Sequence, residues 1–118
     1  MPDNKTLKAL LDSIVDPIVF TDNDHVIRYV NPAAEKKFGQ DGWTDLVGKS
    51  LMHCHNEASQ KQILENYAKF QAGSDEEFES ISKSGRKRIF ARAVRGEAGE
   101  LLGYYERYEA VERENRKK

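Results

Sequence analysis

Residues 16–39 read DPIVFTDNDHVIRYVNPAAEKKFG, and the hydrophobic period changes within them. Ile18 and Phe20 alternate with Val19, the two-residue period of a strand. Asp22, Asn23 and Asp24 are turn residues, because their short polar side chains bond the local backbone and tolerate left-handed conformations. Val26, Ile27, Tyr29 and Val30 make a second β-rich run, so the segment reads as two short strands around a turn. Asn31-Pro32 then starts a helix. The asparagine oxygen accepts from free amides of the first turn, and proline suits the first helical position. Loss of that cap is expected to cost about 1 kcal/mol. The helix, PAAEKKF, stops at Gly39.

Working outward, TLKALLDSIVD upstream places Leu7, Leu10, Leu11 and Ile14 at helical spacing. This predicts an amphipathic helix closed by Pro17, since the residue before a proline resists the α region. Downstream, GQDGWTDLVGKS is broken by Gly39, Gly42 and Gly48 and reads as loop, with one helical turn at 44–47. EASQKQILENYAKFQAG is a longer helix with Ile63, Tyr67 and Phe70 on one face and Leu64 beside them. Asn56 or Ser59 can cap it, Ser59 with Gln62 fits a capping box, and Gly73 is placed to terminate it. In EEFESISKSG, Phe78 and Ile81 lie three apart, which signals a bulge or an edge strand. RKRIFARAVRG alternates Ile89, Ala91 and Ala93 against Phe90, Arg92 and Val94. ELLGYYERYEAV follows a turn at 97–100 and supplies the last strand.

The order is helix, two strands, short helices, a longer helix and three strands. Hairpin-length turns exclude a parallel sheet. The fold class is α+β: a five-stranded antiparallel sheet with helices packed on one face and an N-terminal amphipathic helix. The expected divisions are the helix at 1–15, the domain at 16–112 and a charged tail at 113–118.

At 118 residues the chain suits one domain with its own core. Its 19 basic and 20 acidic residues nearly cancel, which offers no electrostatic case for nucleic acid or an anionic membrane. No apolar run approaches spanning length. One cysteine cannot form an internal disulfide, so a reducing, cytoplasmic location is expected.

The chain resembles a PAS domain, the sensory module of many signalling proteins, over roughly residues 5–112. DPIVFTDNDHVIRYVNPAAEKKFG is similar to the family's opening, LVGKSL to its step into the next helix, and GELLGYYERYEAVERE to its last strand and exit. CHNEASQKQILENYAKFQAG is similar to bacterial and archaeal members with a Cys-His pair before this helix. The chain departs from the family in two places. Glu109, Ala110 and Val111 stand where the family often has the Asp-Ile-Thr that joins it to a signalling helix. Lys49-Ser50-Leu51-Met52 follow Gly48 where the photoactive subgroup carries Asn-Cys-Arg, so the resemblance implies no flavin.

His53, Cys54 and His55 are the residue types most used for metals and haem. The two histidines lack helical i, i+4 spacing, and His25 is on a distant turn, so no metal site is assigned. A PAS resemblance implies that a haem, if bound, would take a histidine on the helical side, here His53 or His55. The segment is otherwise read as structural: Leu51, Met52 and Cys54 pack inward, one histidine bonds the backbone and the other faces water. Nucleophilic catalysis needs an oriented base and oxyanion donors that the sequence does not display, and the chain is read as no enzyme.

The resemblance therefore implies a sensory module that binds a small ligand in its core, dimerises, or does both. The alternatives are a haem sensor of gas or redox state and a dimerisation module with a filled core. The expected cavity lining is Ile18, Phe20, Tyr29, Phe38, Leu51, Ile63, Tyr67 and Phe90. Tyr104, Tyr105 and Tyr108 on the last strand could supply hydroxyls to a pocket, but are expected to cover the open sheet face or make a dimer. That face and the N-terminal helix would form a homodimer, and a signalling partner or downstream domain would receive the output. Arg86, Lys87, Arg88, Arg92 and Arg95 are read as paired with neighbouring glutamates.

Overall fold

The computed structural model describes residues 3–81, 85 and 87–110. The tail at 113–118, Val111 and Arg86 lie outside the described residues. Helix α1 (Asn4–Asp12) begins where the Asp3 carboxylate accepts a 2.8 Å bond from the Thr6 amide. It ends at Ser13, earlier than Pro17 would dictate. The Ser13 hydroxyl donates back to the Leu10 carbonyl at 2.7 Å, a local bond that competes with continuing the helix. No residue of α1 is buried, and Leu7, Leu10 and Leu11 are exposed.

Strands β1 (Ile18–Asp22) and β2 (Ile27–Val30) form the expected hairpin. Asp22 organises its turn by accepting from the Asp24 and Val26 amides and from Arg28. Burial alone would raise the Asp22 pKa, but those hydrogen bonds and the Arg28 charge outweigh it and hold the carboxyl below its ordinary range. Helix α2 (Pro32–Gln40) follows, one turn residue past Gly39. No helical turn forms at 44–47. That loop instead runs along β2: the Ile27 amide donates to the Lys49 carbonyl at 2.9 Å and the Gly48 amide to the Ile27 carbonyl at 2.8 Å. Backbone groups committed to a strand edge are not free to close a helical turn.

A 3₁₀ turn (Leu51–Cys54) leads to α3 (Glu57–Gln71). Of the two candidate caps, Asn56 is used: its oxygen accepts from the Ser59 amide at 2.8 Å. Gly73, at φ +104°, terminates the helix. The Ser74 amide reaches the Lys69 carbonyl and the Gly73 amide the Phe70 carbonyl, the paired closure that a left-handed residue permits. Arg95 reinforces this end by donating to the Phe70 and Ser74 carbonyls while pairing with Asp75 at 2.6 Å.

Strands β3 (Phe78–Ile81), β4 (Lys87–Arg95) and β5 (Leu101–Ala110) complete an antiparallel sheet in the order β2-β1-β5-β4-β3. β3 is an edge strand without a bulge. β5, last in sequence, lies at the centre. Gly103 is required there because a Cβ would overlap the Thr21 carbonyl of β1.

One sheet face carries Val19, Thr21, Ile89, Ala91, Tyr104, Glu106 and Tyr108, and α2 and α3 pack against it. Phe70 of α3 meets Tyr104 and Phe78, with ring centroids 6.1 and 5.5 Å apart. Phe38 of α2 stands edge-on to Tyr108 at 5.6 Å. Tyr104 and Tyr108 are therefore core residues at 2% and 5% exposure, correcting their expected place on the open face; only Tyr105 lies there.

Asn31 is fully buried. Its oxygen accepts from the Ala34 amide, capping α2, and from the Ile18 amide at the start of β1, both at 2.9 Å. Its amide nitrogen donates to the Ile14 and Asp16 carbonyls. Asn31→Ala removes far more than a cap and leaves several backbone groups without partners. We expect a loss of about 3 kcal/mol, measured by denaturant unfolding, against the ~1 kcal/mol of a simple cap. A loss near the smaller figure would show that the other bonds add nothing.

Candidate functional site

Between α3 and the inner face of β4 and β5 the fold leaves a cleft of about 620 Å³. Ile63, Ile81, Ile89 and Ala91 contribute to its apolar surface, and Ser59, Gln62, Asn66 and Glu106 to its polar surface, with Ser80 and Ile81 of β3 at its far edge. A smaller cavity of about 210 Å³ adjoins it on the α2 side, bounded by Phe38, Leu46, Leu51, Tyr108 and Lys37. His55, Ser59 and Ile89 border both. At this wall β4 offers a small side chain, Ala91, which leaves space between the strand and α3.

Glu106 is the unusual member. It is 5% exposed, on the central strand, with apolar neighbours Val19 and Ala91 in register on either side. Its Oε1 accepts a 2.7 Å bond from the Tyr108 hydroxyl. Asn66, also buried, accepts from the Gln62 amide at 3.1 Å. Lys37 lies over the rings of Phe38 and Tyr108, its Nζ 4.3 and 4.9 Å from their centroids. Burial and, secondly, the Lys87 charge depress the Lys37 pKa, while Asp41 and Glu106 oppose them. At the other end of the core Tyr104 bonds His25 at 2.8 Å, and burial pushes its hydroxyl pKa far above the ordinary value. His25 also stands edge-on to Tyr67 at 4.8 Å, so the distant turn is tied to the core.

The two histidines of the His-Cys-His segment separate. His53 is exposed and borders neither cavity. His55 is half-buried, and its Nδ1 is 2.9 Å from the Leu51 carbonyl. A carbonyl only accepts, so Nδ1 carries the proton and Nε2 is the available lone pair of the neutral ring. Gln60 buttresses the segment by donating to the Met52 and His55 carbonyls, both at 2.9 Å. Leu51 is buried and Met52 packs on the core, as expected; the Cys54 side chain lies outside the described residues. Among the described residues no group of three or more His, Cys, Asp or Glu is placed to hold a metal ion.

The expected lining divides the same way. Phe38, Leu51 and Ile63 border the cavities, and Tyr67 packs beside them against Tyr104. Ile18, Phe20, Tyr29 and Phe90 do not line them; they belong to the opposite sheet face. Ile18 and Phe20 oppose Arg107 and Tyr105, and Phe90 opposes Arg107 from the other side. The register shift between Phe20 and Thr21 puts Tyr29 opposite Phe20 and Ile27 opposite Thr21. Ile27 and Tyr29, two apart, thereby point to opposite faces, which unbroken alternation forbids.

On that outer face Arg107 is the hub. Its guanidinium lies 4.3 Å from the Phe90 centroid and pairs with Asp16, Glu77 and Glu109. Burial would lower the Arg107 pKa, but the bond to Glu109 and the other carboxylates outweigh it and raise it. Tyr29 donates a 2.7 Å bond to Asp12 at the end of α1. Among the expected basic residues, Arg88 pairs with Glu79 and Arg95 with Asp75. Glu106, Asn66 and Arg107 were missed in the sequence because polar residues on a strand or helix read as solvated. The signal available was position: Glu106 keeps phase with Tyr104 and Tyr108.

No helix of the described residues is long and apolar enough to cross a membrane. No curated protein matches the chain by sequence. Among solved structures, a C-terminal domain from Streptococcus mutans superposes with a TM-score of 0.70 at 22% identity, over 99% of this chain and 91% of that one. A PAS domain from Colwellia psychrerythraea superposes with a TM-score of 0.66 at 17% identity, over 91% and 95%. The Aer2 receptor of Vibrio cholerae, described as a dual PAS-heme oxygen sensor, gives 0.56 at 22% identity, over 86% and 98%. At such identities these likenesses establish the fold. The model of the PAS fold matches residues 5–104, most of the sequence. With the hairpin, the Asn-Pro helix start and the β2-β1-β5-β4-β3 sheet in place, the chain belongs to the PAS family.

Proposed function

We propose that this chain is a cytoplasmic sensory module that binds a small ligand in the cleft between α3 and β4–β5 and transmits occupancy through β5. The observation that carries this reading is Glu106, a carboxylate brought into the core at the wall of a large cleft. Burying such a group is costly unless a partner satisfies it. Its chain neighbour Arg107 points the other way and pairs with Asp16 beside α1. A ligand that moves β5 at Glu106 therefore perturbs the Arg107–Asp16 contact, which supplies a route from cleft to terminal helix. The role is binding and signalling, without catalysis.

A haem reading has one supporting observation, the orientation of His55. A histidine whose Nδ1 proton is held by a backbone carbonyl presents Nε2 as a ligand. The surrounding wall fits poorly: Glu106, Asn66 and Gln62 interrupt the apolar surface that a macrocycle needs. When bound, haem would supply gas or redox sensing, with His55 rather than His53 as the holding residue.

A second copy of the chain is the proposed occupant of the α1 surface. Leu7, Leu10 and Leu11 make one apolar stripe, and α1 buries no residue within its own chain. Tyr105 and the outer sheet face continue that surface.

Native mass spectrometry of protein isolated from cells should show a bound small molecule. Ser59→Phe, which places a ring where the two cavities meet, should abolish it without unfolding the domain; retention of the ligand by this variant would place binding elsewhere. On titration with haem, any absorption band should vanish in His55→Ala and persist in His53→Ala. The reverse pattern would overturn the assignment of Nε2. In sedimentation the chain should dimerise at tens of micromolar, on the order of ordinary interface affinities. Leu10→Asp with Leu11→Asp should return it to monomer, and an unchanged dimer would exclude α1 as the interface.

A further inference from the structure

Glu106 also bears on the chemistry of the ligand. Resting on the reading that the cleft binds a small molecule, we infer that this molecule is a cation, a protonated amine whose nitrogen sits against Glu106 and whose apolar body lies on Ile63, Ile89 and Ala91.

The Glu106 carboxylate has two oxygens and only 5% exposure. Oε1 accepts from Tyr108. Among the described residues no hydrogen bond reaches Oε2, and no ion pair joins Glu106 to any cation. An ionised carboxylate has about four lone-pair sites, so a single neutral donor leaves most of its capacity unmet. Buried polar groups in native structures nearly always find partners. Here the carboxylate borders the larger cleft.

The Lys37 ammonium, although it feels the Glu106 charge, does not fill this role. Lys37 belongs to the smaller cavity, over the Phe38 and Tyr108 rings. It makes no ion pair with Glu106 among the described residues, and its charge guards the α2 side against a second cation. The amine is thereby directed to the α3 side. Asn66, 8% exposed and bordering the same cleft, has its oxygen occupied by Gln62. An amide nitrogen donates, so a hydroxyl or carbonyl on the ligand body would be accommodated there. A free anion is disfavoured, because it would meet the like charge of the Glu106 carboxylate at the cleft wall.

The test uses three molecules of one shape: phenethylammonium, the neutral 2-phenylethanol and the anion phenylacetate. Methyl NMR of Ile63, Ile89 and Ala91 reports occupancy of the cleft. We expect phenethylammonium to bind at least about tenfold more tightly than the alcohol, with phenylacetate weakest, as charge complementarity requires. Glu106→Gln retains an oxygen for Tyr108 and should erase the preference between cation and alcohol. If that variant fails to fold, the wild-type ranking of the three molecules still decides. Equal binding of all three, or preference for the anion, overturns the cation inference and leaves the cleft reading standing. A preference that survives Glu106→Gln overturns the role of Glu106. No methyl shift with any of the three at about 10 mM, a concentration that reveals even very weak binding, overturns both.

Discussion

The buried amide of Asn31 is the joint on which the architecture turns. One side chain accepts from the first strand and from the first turn of α2, and donates to two carbonyls of the segment leaving α1. Those backbone groups are partly or wholly withdrawn from water, and a buried one left unpaired would cost more than its hydrogen bond contributes. The constraint fixes where β1 starts, and through the hairpin where β2 ends. It also sets the angle at which α2 crosses the sheet, so that Phe38 reaches Tyr108 and closes the smaller cavity.

Once β1 is placed, β5 must join it at the centre of the sheet, because β1 and β4 each need a partner on that side. Centrality gives β5 its double role. Its inward residues, Tyr104, Glu106 and Tyr108, shape the core and the cleft. Its outward residues, Tyr105, Arg107 and Glu109, organise the other face. Adjacent positions on a strand point oppositely, so Glu106 and Arg107 connect the two faces through one peptide.

Local features were legible in the sequence. The Asp22–Asp24 turn, the Asn-Pro helix start and the Gly73 stop all depend on the chemistry of one or two residues acting on their own backbone, whereas the choice of Asn56 over Ser59 as the α3 cap was made by the structure. The alternation of Ile89, Ala91 and Ala93 against Phe90 and Arg92 was visible as well. What could not be read was which set faces inward. Phe90 and Phe20, expected in the cavity lining, lie on the outer face, where Arg107 and Tyr29 of the bulged β2 give those rings partners. Small Ala91 and charged Glu106 hold the inner positions, against the rule that large apolar side chains go inside. Such an exception on a cleft wall is where function is expected to override packing.

The sequence by itself therefore determined the order of the strands and main helices, the Asn31 cap and the family resemblance, since these follow from periods and from contacts within a few residues. Only the tertiary structure decided the faces: that His55 borders the cleft while His53 meets water, that Tyr104 and Tyr108 are core, and that Glu106 is buried. A strand's pattern carries a period but not its phase relative to the core. That phase is set by pairing with residues far along the chain and by the bulge that shifts their register.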